Sequence, residues 1–403
     1  MEKQWLGLEE ALELTLAKVP LLPPERLPLH ECVQRVAAED LYSKINSPSL
    51  TASLKDGYAV RSEDIAAAGE AQPVLLPIVG TVSAGEKSTC TLQKGQAIRI
   101  LTGAPLPQGA EAVVSQEFTR EEGDHVVIFA DSEPGRNVLV RGTDVEDGER
   151  IIQRGEVLRA GHAGLIAAAG LDSVLVYRLP KVAIIATGDE ILAPGEPFRT
   201  GALFASNLIT LAGFLRFRRI DVIMKVIKDQ PDQIKATVTS QLQECDALLT
   251  IGGAWEGDKD YSLGVLDELG WEPLFHRVRI GPGKAVAFGL LQKKPVFCLP
   301  GGPPSNEMAF LQIAFPALMA MSGYPPAPLA MVKAVLTEEV GGQKSWTQFI
   351  YAKLMEQDGK LCVSPLVSKS RLKNMAEATA MIKIPEGERV LLKDTLIDVQ
   401  VLV

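Results

Sequence analysis

The sequence lacks a cysteine framework, a long apolar segment and an excess of positive charge. Its five cysteines are scattered, with no C-x-x-C pair, which disfavours a zinc site or a disulfide scaffold and is typical of a reducing cytosol. No apolar run approaches the ~20 residues needed to span a bilayer, and the charged, amphipathic N-terminus is unlike a signal peptide. The net charge of −9 disfavours nucleic acid or an anionic membrane as the main partner. These absences predict a cytoplasmic protein, and they are compatible with a local basic pocket for an anionic small molecule.

The 403 residues predict roughly two to four domains, and the hydrophobic pattern changes along the chain. Helical spacing over Leu8–Val19 predicts a first helix, and Leu29–Ala38 a second, short one. Short β-rich runs between 74 and 141 predict an all-β module. From Leu179 strands and helices alternate, which predicts a three-layer α/β domain with a mostly parallel sheet. Short strands return after the Pro-rich segment 323–328, which marks a domain boundary.

The stretch Asp246–Tyr261 carries the most concentrated chemical signal. The apolar run Ala247–Ile251 suits a buried parallel strand, and Gly252 and Gly253 follow it directly. Glycines at this point let backbone N–H groups approach an anion, and grouped carboxylates hold a divalent metal. The acidic residues are Glu256, Asp258 and Asp260. The alternative interpretation is a tight strand-to-helix turn with solvated acids.

Four loops follow predicted strands of the α/β domain: 187–190, the Asp229 loop, 252–260 and 300–305. Loops at the carboxyl ends of parallel strands gather at one edge of a sheet, where ligands bind. Carboxylates, glycine turns and nearby basic side chains together favour a phosphorylated ligand with a divalent metal. The side chains are Asp189, Glu190, Asp258 and Asp260, with Arg277, Arg279 and Lys284. Neither the P-loop nor the dinucleotide fingerprint occurs, and the four isolated histidines offer no triad.

An ordered set of motifs resembles the molybdopterin molybdotransferase family, the bacterial MoeA type and the C-terminal half of gephyrin. The resemblance covers essentially the whole chain, and the set is specific although no single motif is. The motifs are DGYAVR at 56–61, IRILTGAPLP at 98–107 with Glu117, RGTD at 141–144, ATGDE at 186–190, SN at 206–207, GG…G…DY at 252–261, PGK at 282–284 and LPGGPPS at 299–305.

The family resemblance implies an α/β plus β, multidomain protein with four domains. They are a discontinuous, elongated N-terminal domain (1–24, 44–52 and 142–178), an inserted β domain (25–43 and 53–141), an α/β molybdopterin-binding domain (179–325) and a C-terminal β domain (326–403). It also implies a homodimer in which the inserted domain of one protomer faces the α/β domain of the other. A contact with the molybdopterin adenylyltransferase is a further partner interaction to test.

The activity implied by the resemblance is Mg²⁺-dependent cleavage of adenylylated molybdopterin, with molybdate inserted at the dithiolene and AMP released. Residues carried over as catalytic are Asp56, Thr102 and Asp144 from the partner protomer, and Glu190, Asp229, Arg277 and Lys284. Residues carried over as binding the pterin and phosphate are Gly252, Gly253, Pro300, Gly301, Ser305 and Ser370. Asp258 and Asp260 are the predicted metal ligands.

Several positions depart from the family pattern and lead to an alternative function. They are Lys55, Thr143, Trp255, Gly281, Gly302, and Trp346 and Tyr351 where arginines are expected. An oxyanion pocket that loses donors loses charge-assisted bonds of ~1.5–3 kcal/mol each. Arg279, Lys369 and Lys373 are candidates to replace the lost charge. The alternative is a paralogue that binds pterin nucleotide, or serves as a dimeric scaffold, without inserting metal.

Overall fold

A computed structural model describes residues 5–85, 90–253, 261–325 and 329–402. By its internal contacts the chain divides into two compact units. Unit 1 comprises Met1–Glu25 and Tyr177–Val403, and unit 2 comprises Arg26–Val176. The predicted four-domain boundaries stay a prediction, because a two-way division does not test them.

The described residues contain eight α-helices. They are α1 Leu8–Lys18, α2 Ala160–Ala168, α3 Ser206–Phe217, α4 Pro231–Glu244, α5 Tyr261–Glu268, α6 Pro303–Ala309, α7 Phe315–Ala320 and α8 Arg371–Glu377.

Twelve strands precede the α/β domain. They are β1 Pro24–Pro28, β2 Leu41–Tyr42, β3 Ala52–Ser53, β4 Gly57–Val60, β5 Val74–Val82, β6 Ala97–Ile100, β7 Ala112–Ser115, β8 Thr119–Glu122, β9 His125–Ile128, β10 Val138–Leu139, β11 Arg150–Ile152 and β12 Ser173–Tyr177.

Sixteen further strands belong to unit 1. They are β13 Lys181–Thr187, β14 Ile191–Leu192, β15 Leu203–Phe204, β16 Asp221–Ile227, β17 Ala247–Ile251, β18 Glu272–His276, β19 Ile280–Gly281, β20 Ala287–Leu291, β21 Lys294–Leu299, β22 Met331–Leu336, β23 Val340–Gly341, β24 Thr347–Gln357, β25 Lys360–Pro365, β26 Ala380–Ile384, β27 Val390–Leu391 and β28 Leu396–Val401.

Unit 2 is built around a six-stranded sheet of order β7-β4-β6-β5-β9-β8. Only the β5–β6 pair is parallel, and β4 is buried at all four positions because both of its faces are covered. The predicted β module is therefore confirmed as the core of this unit. The short helix predicted over Leu29–Ala38 is wrong: only Leu29–Glu31 forms a 3-10 turn. Cys32, Val36 and Ala37 are nevertheless buried, so their apolar spacing reflects packing rather than a helix.

The α/β domain of unit 1 has a six-stranded sheet of order β16-β13-β17-β21-β20-β18. β16, β13, β17 and β21 run parallel, and β20 is antiparallel to both of its neighbours. One face packs against α1, α3 and the continuous helical run 303–320, and the other against α4 and α5. The run 303–320 includes a π-helical segment, Phe310–Ala314, between α6 and α7. The predicted three-layer domain is confirmed.

The C-terminal strands form a second core within unit 1. Strands β24, β25, β22, β28 and β26 pair in that order, and β26 pairs back with β24, so the hydrogen bonding closes into a ring. Closure satisfies the backbone groups that an edge strand would expose. The ring encloses a small apolar cluster that includes Leu336, Ile382 and Val399. The α/β plus β fold class is confirmed, although the short helix α8 was not predicted.

None of the helices in the described part of the chain combines the length and apolar character that a membrane-spanning segment needs.

Candidate functional site

A cavity of about 610 Å³ opens at the carboxyl ends of β13, β17 and β21. The chain runs from β13 to β16 on one side and then returns to β17 on the other, so the strand order reverses at β13. Ligands bind in the crevice at such a reversal point in an open α/β sheet. Residues around the cavity are Ala186, Thr187, Glu190, Ile191, Leu203, Phe204, Ala205, Ser206, Asn207, Leu208, Ile251, Gly252, Gly301, Pro303, Arg371 and Leu372.

The turn after β17 requires its two glycines. Gly252 has φ +93°, and a Cβ there would lie 2.9 Å from the carbonyl oxygen of Thr187. Gly253 has φ +64°, and a Cβ there would lie 2.6 Å from Oγ of Ser262. A side chain at either position would need a strained backbone and would displace its neighbours. The Gly-Gly pair therefore lets β17 end against β13 while the backbone of Gly252 borders the cavity.

Two asparagine side chains fix the backbone of the turn after β21 by hydrogen bonds to its carbonyl groups. Nδ2 of the buried Asn306 donates to the carbonyl oxygen of Pro300 at 2.9 Å. Nδ2 of Asn207, at the start of α3, donates to the carbonyl oxygen of Gly301 at 2.8 Å. No atom lies within 4 Å of a Cβ placed on Gly301, so this residue faces open space. Asn207 belongs to the SN motif but was not among the predicted site residues.

Among the described residues, the wall of the cavity is mostly apolar and carries one charge of each sign. Glu190 supplies a carboxylate from the loop after β13, and Arg371 supplies a guanidinium from α8. The larger apolar side chains on the wall include Ile191, Leu203, Phe204, Leu208 and Leu372. An apolar cavity of this size with a few polar groups is typical of a small-molecule site.

Arg371 was not predicted, and the basic residues that were considered instead lie elsewhere. Lys369 and Lys373 flank it in sequence, but Arg371 is the residue that borders the cavity. Arg279 pairs with Glu386 at 3.0 Å between Nε and Oε1. Ser370 is a typical N-cap residue, so the local sequence does indicate the start of α8. It does not indicate that α8 lies near the sheet of the α/β domain, which is why Arg371 was not predicted.

Lys284 lies in a turn that packs against α6. Gly283 has φ +119°, and a Cβ there would lie 3.3 Å from the carbonyl oxygen of Ser305 and from the backbone nitrogen of Ala309. The exposed Lys284 follows this close contact, and its carbonyl oxygen accepts the N–H of Val278 at 3.1 Å. The contact packs the turn that carries Lys284 against the helix that contains Ser305, so two of the predicted site residues lie in elements that touch.

Arg277 lies at the same edge of the sheet. His276, the last residue of β18, pairs with Ala287, and Ala287 pairs with Cys298. Because Cys298 is one residue before the end of β21, β18 ends at the same edge of the sheet as β21. Arg277 follows directly, and its guanidinium carbon lies 5.6 Å from the ring centre of Trp5. This cation–π contact holds part of the guanidinium against an aromatic face.

Helix α6 contains a buried acid that was not predicted from the sequence. Glu307 is only 4% exposed, and its Oε2 accepts a hydrogen bond from the hydroxyl of Tyr351 on β24 at 2.5 Å. Burial raises the pKa of Glu307, and the hydrogen bond from Tyr351 opposes only part of that rise. Burial also raises the pKa of Tyr351, as does the nearby carboxylate. The position where the resemblance led us to expect an arginine thus holds a phenol bound to a carboxyl group.

Asp56 and Thr102 form a pair within unit 2. Oδ1 of Asp56 accepts the backbone N–H of Thr102 at 2.7 Å and its hydroxyl at 2.8 Å. The hydrogen bond from the Thr102 N–H, followed by that from its hydroxyl, lowers the pKa of Asp56. Asp144 is exposed, and its N–H donates to the carbonyl oxygen of Ser47 at 2.9 Å. The predicted role of these residues toward a partner protomer stays a prediction.

The structure places the predicted residues of unit 1 as follows. Glu190, Gly252 and Gly301 line the cavity. Gly253, Asp229, Pro300, Arg277 and Lys284 lie in loops and turns that follow strands. Ser305 lies in the first turn of α6, and Ser370 caps α8 next to Arg371. Their functional roles stay predictions.

The predicted metal ligands Asp258 and Asp260 lie outside the described residues, as do Glu256 and Trp255. Within the described ranges, no group of three or more His, Cys, Asp or Glu residues is arranged to hold a metal ion. The magnesium prediction therefore stays a prediction.

Two family models match the chain. The model described as the MoeA N-terminal region (domain I and II) matches residues 6–170, and that described as a probable molybdopterin binding domain matches residues 183–320.

Curated relatives and solved structures agree with these matches. A Mycobacterium tuberculosis (strain H37Rv) protein named molybdopterin molybdenumtransferase 2 is 32% identical over 370 residues, which cover 90% of this chain and 91% of the relative. The molybdopterin molybdenumtransferase of Synechococcus elongatus is 30% identical over 98% of this chain and 99% of its own. A crystal structure of the molybdopterin biosynthesis moeA protein from Pyrococcus horikoshii OT3 matches with a TM-score of 0.83 and 29% identity, covering 99% of this chain and 100% of that one.

Proposed function

This chain belongs to the molybdopterin molybdenumtransferase family, and we propose that it inserts molybdenum into adenylylated molybdopterin with Mg²⁺-dependent release of AMP. Membership supports a role in molybdenum cofactor biosynthesis. The observation that carries the finer proposal is the cavity at the reversal point of the sheet. There, two glycine turns, a carboxylate and a guanidinium surround a mostly apolar space.

The residues of the chain have distinct tasks in this proposal. The apolar wall holds the flat pterin and excludes water, which strengthens each polar contact with the ligand. The turns after β17 and β21 bring main-chain groups close to the phosphates because Gly252 and Gly301 carry no side chain. Lys284 and Arg277 add positive charge at the same sheet edge, where molybdate, the anionic substrate, would bind.

The donor set suits magnesium in part. Mg²⁺ prefers carboxylate oxygens and phosphate oxygens, and Glu190 is the described carboxylate on the cavity wall. Asp258 and Asp260 would complete the protein ligands. Magnesium would neutralise charge that develops on the phosphates when AMP leaves.

We also propose a homodimer in which Asp56, Thr102 and Asp144 of one protomer face the cavity of the other. The Thr102 hydrogen bonds keep the carboxylate of Asp56 ionised and fixed in direction. A fixed, ionised carboxylate is suited to binding a cation or a protonated group of the ligand.

The test is release of AMP from adenylylated molybdopterin by the purified protein with Mg²⁺ and molybdate. The wild-type protein should release AMP, and Glu190→Gln should release it at least tenfold more slowly because the carboxylate charge is lost. Glu196→Gln, a change at an exposed acid of the same loop region, is the control and should leave the rate within twofold. Absence of AMP release by the wild-type protein overturns the proposal.

A second function, pterin-nucleotide binding without metal insertion, is favoured by one observation. The phenol of Tyr351, hydrogen-bonded to the buried carboxyl of Glu307, stands where the resemblance led us to expect an arginine. Tight binding of adenylylated molybdopterin without AMP release would select this function over the first.

A further inference from the structure

We propose that Arg371 binds a phosphate of the pterin nucleotide in the cavity, so that the C-terminal domain adds a cation to those that the α/β domain supplies. This inference rests on the proposed function for the nature of the ligand. It adds a charged residue to the C-terminal domain, in which the motif comparison assigned Ser370 to the site.

The charge balance of the cavity singles out Arg371. The described lining residues include one guanidinium, one carboxylate and otherwise uncharged side chains. Arg371 makes no ion pair with another residue in the described part of the chain, and it is exposed. A guanidinium binds phosphate oxygens through two parallel N–H donors, a geometry that a lysine does not reproduce. Among the described residues the Arg371 side chain is thus uncommitted, and it has the chemistry that a phosphate requires.

The loop before α8 and the first turn of this helix, which begins with Arg371, are fixed by local hydrogen bonds. Nδ2 of Asn374 donates to the carbonyl oxygens of Leu366 at 3.3 Å and Ser368 at 3.1 Å. The hydroxyl of Ser368 donates to Oδ1 of Asn374 at 2.5 Å, and Oγ of Ser370 accepts the N–H of Lys373 at 3.4 Å. A residue on an ordered loop loses less entropy when it binds than one on a mobile loop. The backbone of Arg371 is therefore held in place before the ligand arrives.

Exposed apolar side chains lie on the same cavity wall. Leu203 is 64% exposed, Phe204 43% and Leu372 50%, although all three border the cavity. Exposed apolar side chains grouped at a concave site indicate a ligand surface. A flat heteroaromatic ring would cover them while its phosphate reaches Arg371. Leu372 and Arg371 are sequence neighbours, so one loop would contact both parts of the ligand.

The experiment compares two variants that remove the same charge from the same loop. The dissociation constant of adenylylated molybdopterin is measured by calorimetry for the wild-type protein, Arg371→Ala and Lys369→Ala, and again with a pterin that lacks phosphate. Arg371→Ala should weaken binding of the phosphorylated ligand roughly tenfold to a hundredfold, since one charge-assisted contact is lost. Lys369→Ala should change it less than twofold, and Arg371→Lys should recover only part of the loss.

The phosphate-free pterin separates the contribution of the phosphate to binding from that of the pterin ring. It should bind to the wild-type protein and to Arg371→Ala with equal affinity. Equal weakening by Arg371→Ala and Lys369→Ala, or equal binding of the phosphorylated ligand by wild-type protein and Arg371→Ala, overturns the inference alone. Failure of the wild-type protein to bind either pterin overturns the proposed function and this inference with it. The thermal midpoint of Arg371→Ala should match that of the wild-type protein, because the side chain is exposed.

Discussion

The two ends of the parallel sheet differ in how their polar groups are used. At the amino ends of β13, β17 and β21, Arg178 binds Asp246 through two hydrogen bonds of 2.6 Å. Asp246 also accepts the N–H of Lys181 at 2.8 Å, and Nζ of Lys294 donates to the carbonyl oxygen of Cys245 at 2.7 Å. At the carboxyl ends of the same strands lies the cavity, with Arg371 on its wall.

The difference shows that the two ends of one sheet have different roles: polar groups at the amino ends of the strands stabilise the fold, and those at the carboxyl ends are available to a ligand. Charged groups at the amino end bind each other, so their desolvation is compensated inside the protein. Groups at the carboxyl end keep hydrogen-bonding capacity for a ligand, which costs some folding stability. Substitutions at the amino end should therefore change unfolding and leave binding intact, and substitutions at the carboxyl end should do the reverse.

The largest effect is expected at the amino end, from Arg178→Ala. This change leaves the half-buried carboxylate of Asp246 without its bidentate partner, which should lower the free energy of unfolding by about 2–3 kcal/mol at pH 7. Urea unfolding measures the loss, and the affinity for adenylylated molybdopterin should stay within twofold. The control is Lys235→Ala, which breaks an exposed ion pair with Glu268 and should cost less than about 0.5 kcal/mol. Equal losses in the two variants would contradict the comparison.

The unfolding free energy of Arg178→Ala at acidic pH shows the sign of the electrostatic contribution of the Arg178–Asp246 pair. Burial alone would raise the pKa of Asp246, but the hydrogen bonds from Arg178 and from the Lys181 N–H lower it below its ordinary value of 3.8. A carboxyl group with a lowered folded-state pKa stabilises the protein above that ordinary value, and the contribution is lost as pH falls below it. The difference in unfolding free energy between wild-type protein and Arg178→Ala should therefore shrink below about pH 4.

A smaller effect, on binding only, is expected at the carboxyl end from Gly301→Leu. A Cβ at Gly301 meets no atom within 4 Å and φ lies outside the left-handed region, so a side chain there fits without backbone strain. It should occupy cavity space and raise the dissociation constant of the pterin nucleotide at least tenfold, or about 1.4 kcal/mol. Gly213→Leu on α3 is the control, because Gly213 also faces open space but does not border the cavity. A loss of stability in place of a loss of affinity would contradict the separation of roles.

The sequence predicted those parts of this comparison that depend on local pattern. Apolar runs followed by glycine predicted β13, β17 and β21, because the signals for a buried strand and for a tight turn both lie in consecutive residues. Arg371, Asn207 and the Glu307–Tyr351 pair were not predicted as site features. Each acts through a contact with a residue far away in the chain, and the chemistry of one partner does not reveal the other.

The smallest predicted effect concerns Glu307, whose contribution to stability should depend on pH with the opposite sign to that of Asp246. Burial raises the folded-state pKa of Glu307 above its ordinary value of 4.5. A carboxyl group with a raised pKa binds its proton more tightly in the folded state, so its stabilising contribution is complete below about pH 4.5 and is lost as pH rises through the folded-state pKa. The wild-type protein should therefore lose stability above pH 4.5 through this one group.

Glu307→Gln removes that titration and keeps an oxygen that can accept the Tyr351 hydroxyl. We expect the variant to match the wild-type protein near pH 4.5 and to have the larger unfolding free energy at pH 8, as measured by urea unfolding across this range. Tyr351→Phe is the matched control, because it removes the donor but leaves the carboxyl group, so its stability should fall with pH at least as steeply as that of the wild-type protein. If Glu307→Gln and the wild-type protein lose stability in parallel between pH 5 and pH 8, Glu307 is ionised in the folded protein.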